Sequence, residues 1–209
     1  MDAGSRGLPG RSACRALAVA LFPASIHPTP AEAHEIIPGV TGFPSLLLHP
    51  FAAVETVLLM IGLALVVGTA ENWRGATPGF VALVAGSIAG VMLQPVSILV
   101  PGLWRVPLVL AFILGAVAAS GRGLSSLLRI VIVLLVSLAL GTAVPPESQS
   151  LTGRAEAAAA VVLAILVSML VIAFPRTVLS RFYPVRLAGQ VLGAWIVAIS
   201  LLGMAVWFR

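Results

Sequence analysis

The sequence predicts an all-α polytopic membrane protein, a bundle of about six transmembrane helices that follows a cleaved signal peptide. Three observations carry this. Of 209 residues, 60% are hydrophobic and only 9% charged, and the mean hydropathy is +1.12. Several apolar runs approach or exceed the roughly 18 residues that suggest a bilayer span. Each run is bounded by Pro, Gly or Arg, which stop a helix or hold it at the membrane surface.

The lipid bilayer is therefore the first partner. The formal net charge of +5 comes from 12 arginines without any lysine. They are scattered between the apolar runs and form neither a basic face nor a base-reading motif, which argues against nucleic acid as a partner. The single Cys14 lies in the segment expected to be removed, so no disulfide or thiol chemistry is expected in the mature chain.

At the amino terminus, Arg6, Arg11 and Arg15 precede an apolar stretch from Ala16 to Ile26, and Ala31-Glu32-Ala33 supplies a small-x-small cleavage pattern. The apolar core is about 11 residues, too short for a bilayer of about 30 Å, and Pro23 weakens it further. Residues 1–33 are expected to be a signal peptide and residues 34–209 a single transmembrane domain. The alternatives are an uncleaved tail or an amphipathic anchor. Cleavage after Ala33 would make His34 the first mature residue, offering an amine and an imidazole to one metal ion with Glu35 beside it.

Six apolar stretches follow, at about 45–68, 78–100, 106–120, 124–144, 157–174 and 188–208. With the mature terminus outside, Arg74, Arg122, Arg129, Arg176, Arg181 and Arg186 fall on or near the cytoplasmic side and Arg105, Arg154 and Arg209 on the other, as the positive-inside rule asks. The densest group, residues 175–186, reads as a loop that anchors the topology and can also meet anionic headgroups. The longest polar loop, 145–156, carries Glu147 and Glu156 on the outer side. It reads either as an ordinary solvated connection or as an electrostatic collector of cations. Gly86-Ser-Ile-Ala-Gly90 and Gly189-Gln-Val-Leu-Gly193 put small residues four apart, so backbones can approach there. A homo-oligomer stays open.

The first span holds the candidate site. Ionisable groups at membrane depth are costly and usually face a bundle interior or an ion path, and Glu55 is the sole acid within a predicted span. In a straight helix, His49, Ala53, Thr56 and Met60 share a direction within about 40°, while Glu55 lies about 120° from His49 and about 9 Å along the axis. One ion cannot then touch both His49 and Glu55, because metal bonds are about 2 Å. Pro50 can change this, either by starting the helix with residues 46–49 re-entrant or by freeing a carbonyl in a discontinuous helix. His49 also suits a satisfied interfacial position, and Glu55 suits a structural pairing. Gln94, Ser97 and Gln190 read as interhelical hydrogen-bonding groups.

The residues His34, Gly42-Phe43 and His49-Pro50-Phe-Ala-Ala-Val-Glu55-Thr56-Val-Leu-Leu-Met60 resemble the HupE/UreJ family of hydrogenase and urease accessory membrane proteins. Its members carry a signal peptide, often a mature terminal histidine, and a His-Pro-x-x-Gly-x-Asp-His-x-x-x-Met signature. Here Ala53 stands for the glycine, Glu55 for the aspartate and Thr56 for the second histidine, and no histidine follows His49. The resemblance implies a bacterial inner-membrane permease for nickel, or cobalt, delivered towards a metalloenzyme or its maturation factors. It implies metal contacts from His34, His49, Glu55 and Met60, with the ion as cargo and no tightly bound cofactor. The alternative is a non-transporting assembly or anchoring protein of a hydrogenase- or urease-like system. An enzyme is not expected, since the spans hold no acid–base pair at hydrogen-bonding spacing and no three-ligand zinc pattern.

Overall fold

A computed structural model describes residues 40–69, 76–99, 105–145 and 150–207. The expected signal peptide, His34 and Glu35 lie outside the described residues. Among those described, the regular structure is entirely helical: α1 (Phe43–Ala52), α2 (Val54–Val67), α3 (Ala76–Leu99), α4 (Val106–Ser120), α5 (Ser126–Ala143), α6 (Leu151–Ser168), a π-helical turn (Met169–Ala173), α7 (Phe174–Val178) and α8 (Tyr183–Trp207). Four stretches are long and apolar enough to cross a membrane: Pro78–Pro95, Ser126–Ala143, Leu151–Val178 and Tyr183–Val206. The pair α1 and α2 adds a fifth if it is one span, and α4 is a shorter apolar helix. The chain is thus a multi-pass helical membrane protein.

Local chemistry explains the boundaries. Gly42, at φ 71° and ψ −154°, precedes α1 in a conformation open to glycine, and Pro44 follows in the first turn, where its missing N–H costs nothing. Ser125 caps α5 by accepting from the Leu128 N–H at 3.4 Å, and Ser150 caps α6 by accepting from the Gly153 N–H at 3.1 Å. The cap at Ser150 starts α6 well before residue 157, so the expected outer loop 145–156 is shorter than predicted and Glu156 is helical. The predicted loop 175–186 contracts in the same way. Residues 174–178 are α7 and α8 begins at Tyr183, so only four residues turn the chain.

Small residues set the packing. The tightest pairings are α3 with α5 and α4 with α8. In the first, Gly90 faces Gly141, where an added Cβ on Gly141 would meet the Ser87 carbonyl at 2.7 Å and Gly90 Cα at 2.9 Å. In the second, a Cβ on Gly193 would come within 2.6 Å of Ala119 N and 2.7 Å of the Gly115 carbonyl. Gly86 and Gly90 of the first expected motif and Gly193 of the second therefore lie at backbone-to-backbone crossings. At the core, Leu59, Leu63, Leu83, Ala111, Leu140, Ala160 and Ala164 are fully enclosed, while Leu127, Leu170, Trp195 and Leu202 lie outermost. Large apolar side chains thus fill the core and also face outward, as expected for a bundle surrounded by lipid, while small residues serve the closest helix crossings.

Candidate functional site

The first predicted span, 45–68, is not one helix. It breaks at Ala53, whose extended backbone (φ −99°, ψ 131°) ends α1 and starts α2, and the two axes meet at 83°. Pro50 sits inside α1 instead of opening a helix. It supplies no N–H to the turn before it, which leaves the last turn of α1 weakly held, and the break comes three residues later. The stripe His49–Ala53–Thr56–Met60 expected on a straight helix does not exist, because Ala53 is not helical.

Thr56 closes the break. Its hydroxyl donates to the Pro50 carbonyl at 2.5 Å and to the Ala53 carbonyl at 2.8 Å, and the residue is 4% exposed. A threonine carries one hydroxyl hydrogen, so the two carbonyls share it. In an unbroken helix the Pro50 carbonyl would accept from the N–H of residue 54; the bend removes that donor and Thr56 replaces it. Thr56, at the position where the resembled signature has a second histidine, therefore holds the backbone together.

The depth of the break follows from how α2 runs beside α6. The Ser168 hydroxyl donates to Met60 Sδ at 3.7 Å, and the Thr177 hydroxyl donates to the Gly68 carbonyl at 3.3 Å. These pairs are 108 and 109 residues apart in sequence, so from Met60 to Gly68 α2 runs in one register beside the stretch from Ser168 at the end of α6 to Thr177 in α7. Continued upward, that register sets Glu55 beside residues 163–164, about 18 Å inside the start of α6 at 1.5 Å per residue. The apolar stretch Leu151–Val178 has 28 residues, so Glu55 stands near its middle. Because α1 lies almost perpendicular to α2, it crosses the bundle at the same level and packs on α6. The bend therefore sets His49 to the side of α2, instead of about 9 Å further along the same axis as in a straight helix.

Both candidate donors are half-buried. His49 lies in the last turn of α1 and Glu55 in the first turn of α2, the placements that helix dipoles favour for a base and an acid. The carbonyls that end α1 point towards the same break. Met60 is elsewhere: it is 1% exposed within the core, about 7.5 Å further along α2 than Glu55, with its sulfur held by Ser168. The Ser168 hydroxyl also donates to the Ala164 carbonyl at 2.9 Å, and the π-helical turn begins at the next residue. Sequence patterns offered no sign of Ser168, whose importance comes from a neighbour 108 residues away.

Among the described residues no three His, Cys, Asp or Glu side chains converge where they could hold a metal ion. What the break offers instead is one imidazole, one carboxylate and helix-end carbonyls, within a bundle otherwise lined by apolar and small side chains. Such a set can bind a cation through a few exchangeable contacts. Gln94 is buried near the end of α3, and Gln190 lies against Gly121 at the opposite end of the bundle. Comparison with known proteins finds no match among family models, curated proteins or solved structures.

Proposed function

We propose that the protein is a small permease for a divalent transition-metal ion, with the break between α1 and α2 as its point of passage. The observation that supports this reading is the position of the break. A helix interrupted near the middle of an apolar bundle, with an acid on the first turn of one half and a base on the last turn of the other, is how many transporters bring backbone carbonyls and side chains to an ion. An acid kept at such depth is costly unless it is used.

In this reading His34 and Glu35 collect the ion outside, His49 and Glu55 receive it at the break, and Met60 offers a soft contact deeper in the bundle. The resemblance to the HupE/UreJ proteins favours nickel or cobalt as cargo, supplied to a metalloenzyme. Weak, incomplete coordination suits this role, since a conducted ion must leave as readily as it enters.

The test is uptake of nickel, cobalt, zinc, copper and manganese by proteoliposomes holding the mature protein, with His49→Ala and Glu55→Gln beside it. One ion should enter, and both variants should lose uptake while keeping helical content. Parent-like transport by both variants would sink the reading. Absence of uptake from folded protein would favour an assembly role, in which a metalloenzyme or its maturation factor co-purifies.

A further inference from the structure

We propose that Arg176 is the receptor for a phosphate-type anion, carried by a phospholipid headgroup or free in solution, at the arginine-rich end of the bundle. Arg176 belongs to α7 and is 8% exposed. Its guanidinium lies on the backbone of α8: a Cβ added to Gly189 would be 2.6 Å from Cζ, 2.7 Å from Nη1 and 3.0 Å from Nε. The seat exists because residue 189 has no side chain. Nη1 is enclosed and has no hydrogen-bond partner among the described residues, although a guanidinium carries five donors and stays charged.

No described carboxylate can neutralise it. Those are Glu55 and Glu156. The Gly68 carbonyl meets Thr177, next to Arg176, and Glu55 lies about 20 Å up α2 from Gly68, while Glu156 lies about 30 Å up α6 from Arg176. At such separations neither carboxylate can form an ion pair with the guanidinium. The neighbours at this end add positive charge. Arg122 follows Gly121, which touches Gln190 of α8, and Arg181 and Arg186 flank the turn into α8; all three are exposed. An arginine enclosed at a bundle end is costly without a counter-charge, and among the described residues no acid supplies one.

The chemistry selects a phosphate. The planar guanidinium fork matches two phosphate oxygens, which an ammonium cannot do. Around it Phe174, Leu179, Phe182 and Tyr183 are exposed, and Arg181 stacks over the Phe182 ring at 4.9 Å. Aromatic rings beside arginines at a bundle end belong at headgroup level, where phosphates are most concentrated.

The experiment uses the full protein, delipidated in a neutral detergent, with thermal unfolding followed during titration of phosphatidylglycerol, phosphatidylcholine or inorganic phosphate. Phosphatidylglycerol should raise Tm saturably, and Arg176→Gln should weaken the apparent affinity about tenfold, the loss expected for a charge-assisted hydrogen bond. The exposed-site variant Arg181→Gln should shift it only about twofold. An Arg176-dependent response to phosphatidylglycerol alone identifies a lipid headgroup. The same response to inorganic phosphate identifies a free anion. Should Arg176→Gln fail to fold, Arg176→Lys keeps the charge without the fork and should fold yet bind several-fold more weakly. The proposal is overturned if the lipids and phosphate act on Arg176→Gln as they do on the parent. It is also overturned if Glu71→Gln destabilises the lipid-free protein as Arg176→Gln does, since the charge would then be neutralised within the chain.

Discussion

Replacing Thr56 by Val removes one hydroxyl and leaves the side-chain volume almost unchanged. The hydroxyl serves the Pro50 and Ala53 carbonyls at 2.5 and 2.8 Å. Ala53 retains the Val57 N–H at 3.1 Å, so the loss falls mainly on the Pro50 carbonyl. A buried polar group left without a partner costs about 1–3 kcal/mol. Hydrogen bonds measured within membrane proteins average nearer 0.6 kcal/mol, because the unfolded chain in the membrane finds other partners. Together these give about 1–2 kcal/mol of destabilisation, or a fall in Tm of about 2–8 °C for a chain of this size. Thermal unfolding in one detergent measures it, with Thr56→Ser as the control that keeps the hydroxyl. Thr56→Ser should stay close to the parent. A parent-like Tm for Thr56→Val would refute the role assigned to the hydroxyl, and equal losses in both variants would transfer that role to the methyl group. Under the proposed transport function, metal uptake by Thr56→Val should also fall, since Thr56 holds the break together.

Two other substitutions probe the packing. Gly141→Ala should destabilise by about 1–3 kcal/mol, the usual cost of overpacking, because its Cβ meets backbone atoms of α3 that cannot step aside; Gly79→Ala, with nothing within 4 Å, should be neutral or slightly stabilising in the same melts. Ser168→Ala should change Tm by less than about 2 °C, since a 3.7 Å contact to sulfur and a bond within its own helix are both weak; a larger drop would mean that Met60 depends on Ser168 for its place.

The membrane class, the helical class and the approximate places of the apolar segments were legible in the chain, although the stretch predicted at 157–174 reaches from Leu151 to Val178. Hydropathy sums over a window and needs no knowledge of neighbours, and Pro, Gly and Ser at the ends act within a turn. The two small-residue motifs were legible for the same reason, although not their partners: Gly90 against Gly141 and Gly193 against Gly115 are contacts between distant parts of the chain. The grouping of Arg122, Arg176, Arg181 and Arg186 at one end, away from Arg154, also follows from counting spans. Arg154 reaches Met92 at the other end of α3.

Only the tertiary structure decided the rest. A proline warned that the first span could be discontinuous, but the break at Ala53 and its 83° angle depend on α1 finding a surface on α6. The depth of Glu55 depends on the register of α2 against α6, which Met60, Ser168, Gly68 and Thr177 set across more than a hundred residues. Arg176, in a stretch read as a surface loop, is enclosed because Gly189 of a later helix leaves room for it. Local sequence determines which residues enter the membrane and as what kind of helix; the side-by-side register of helices, a sum of many weak and distant contacts, determines which polar groups meet there.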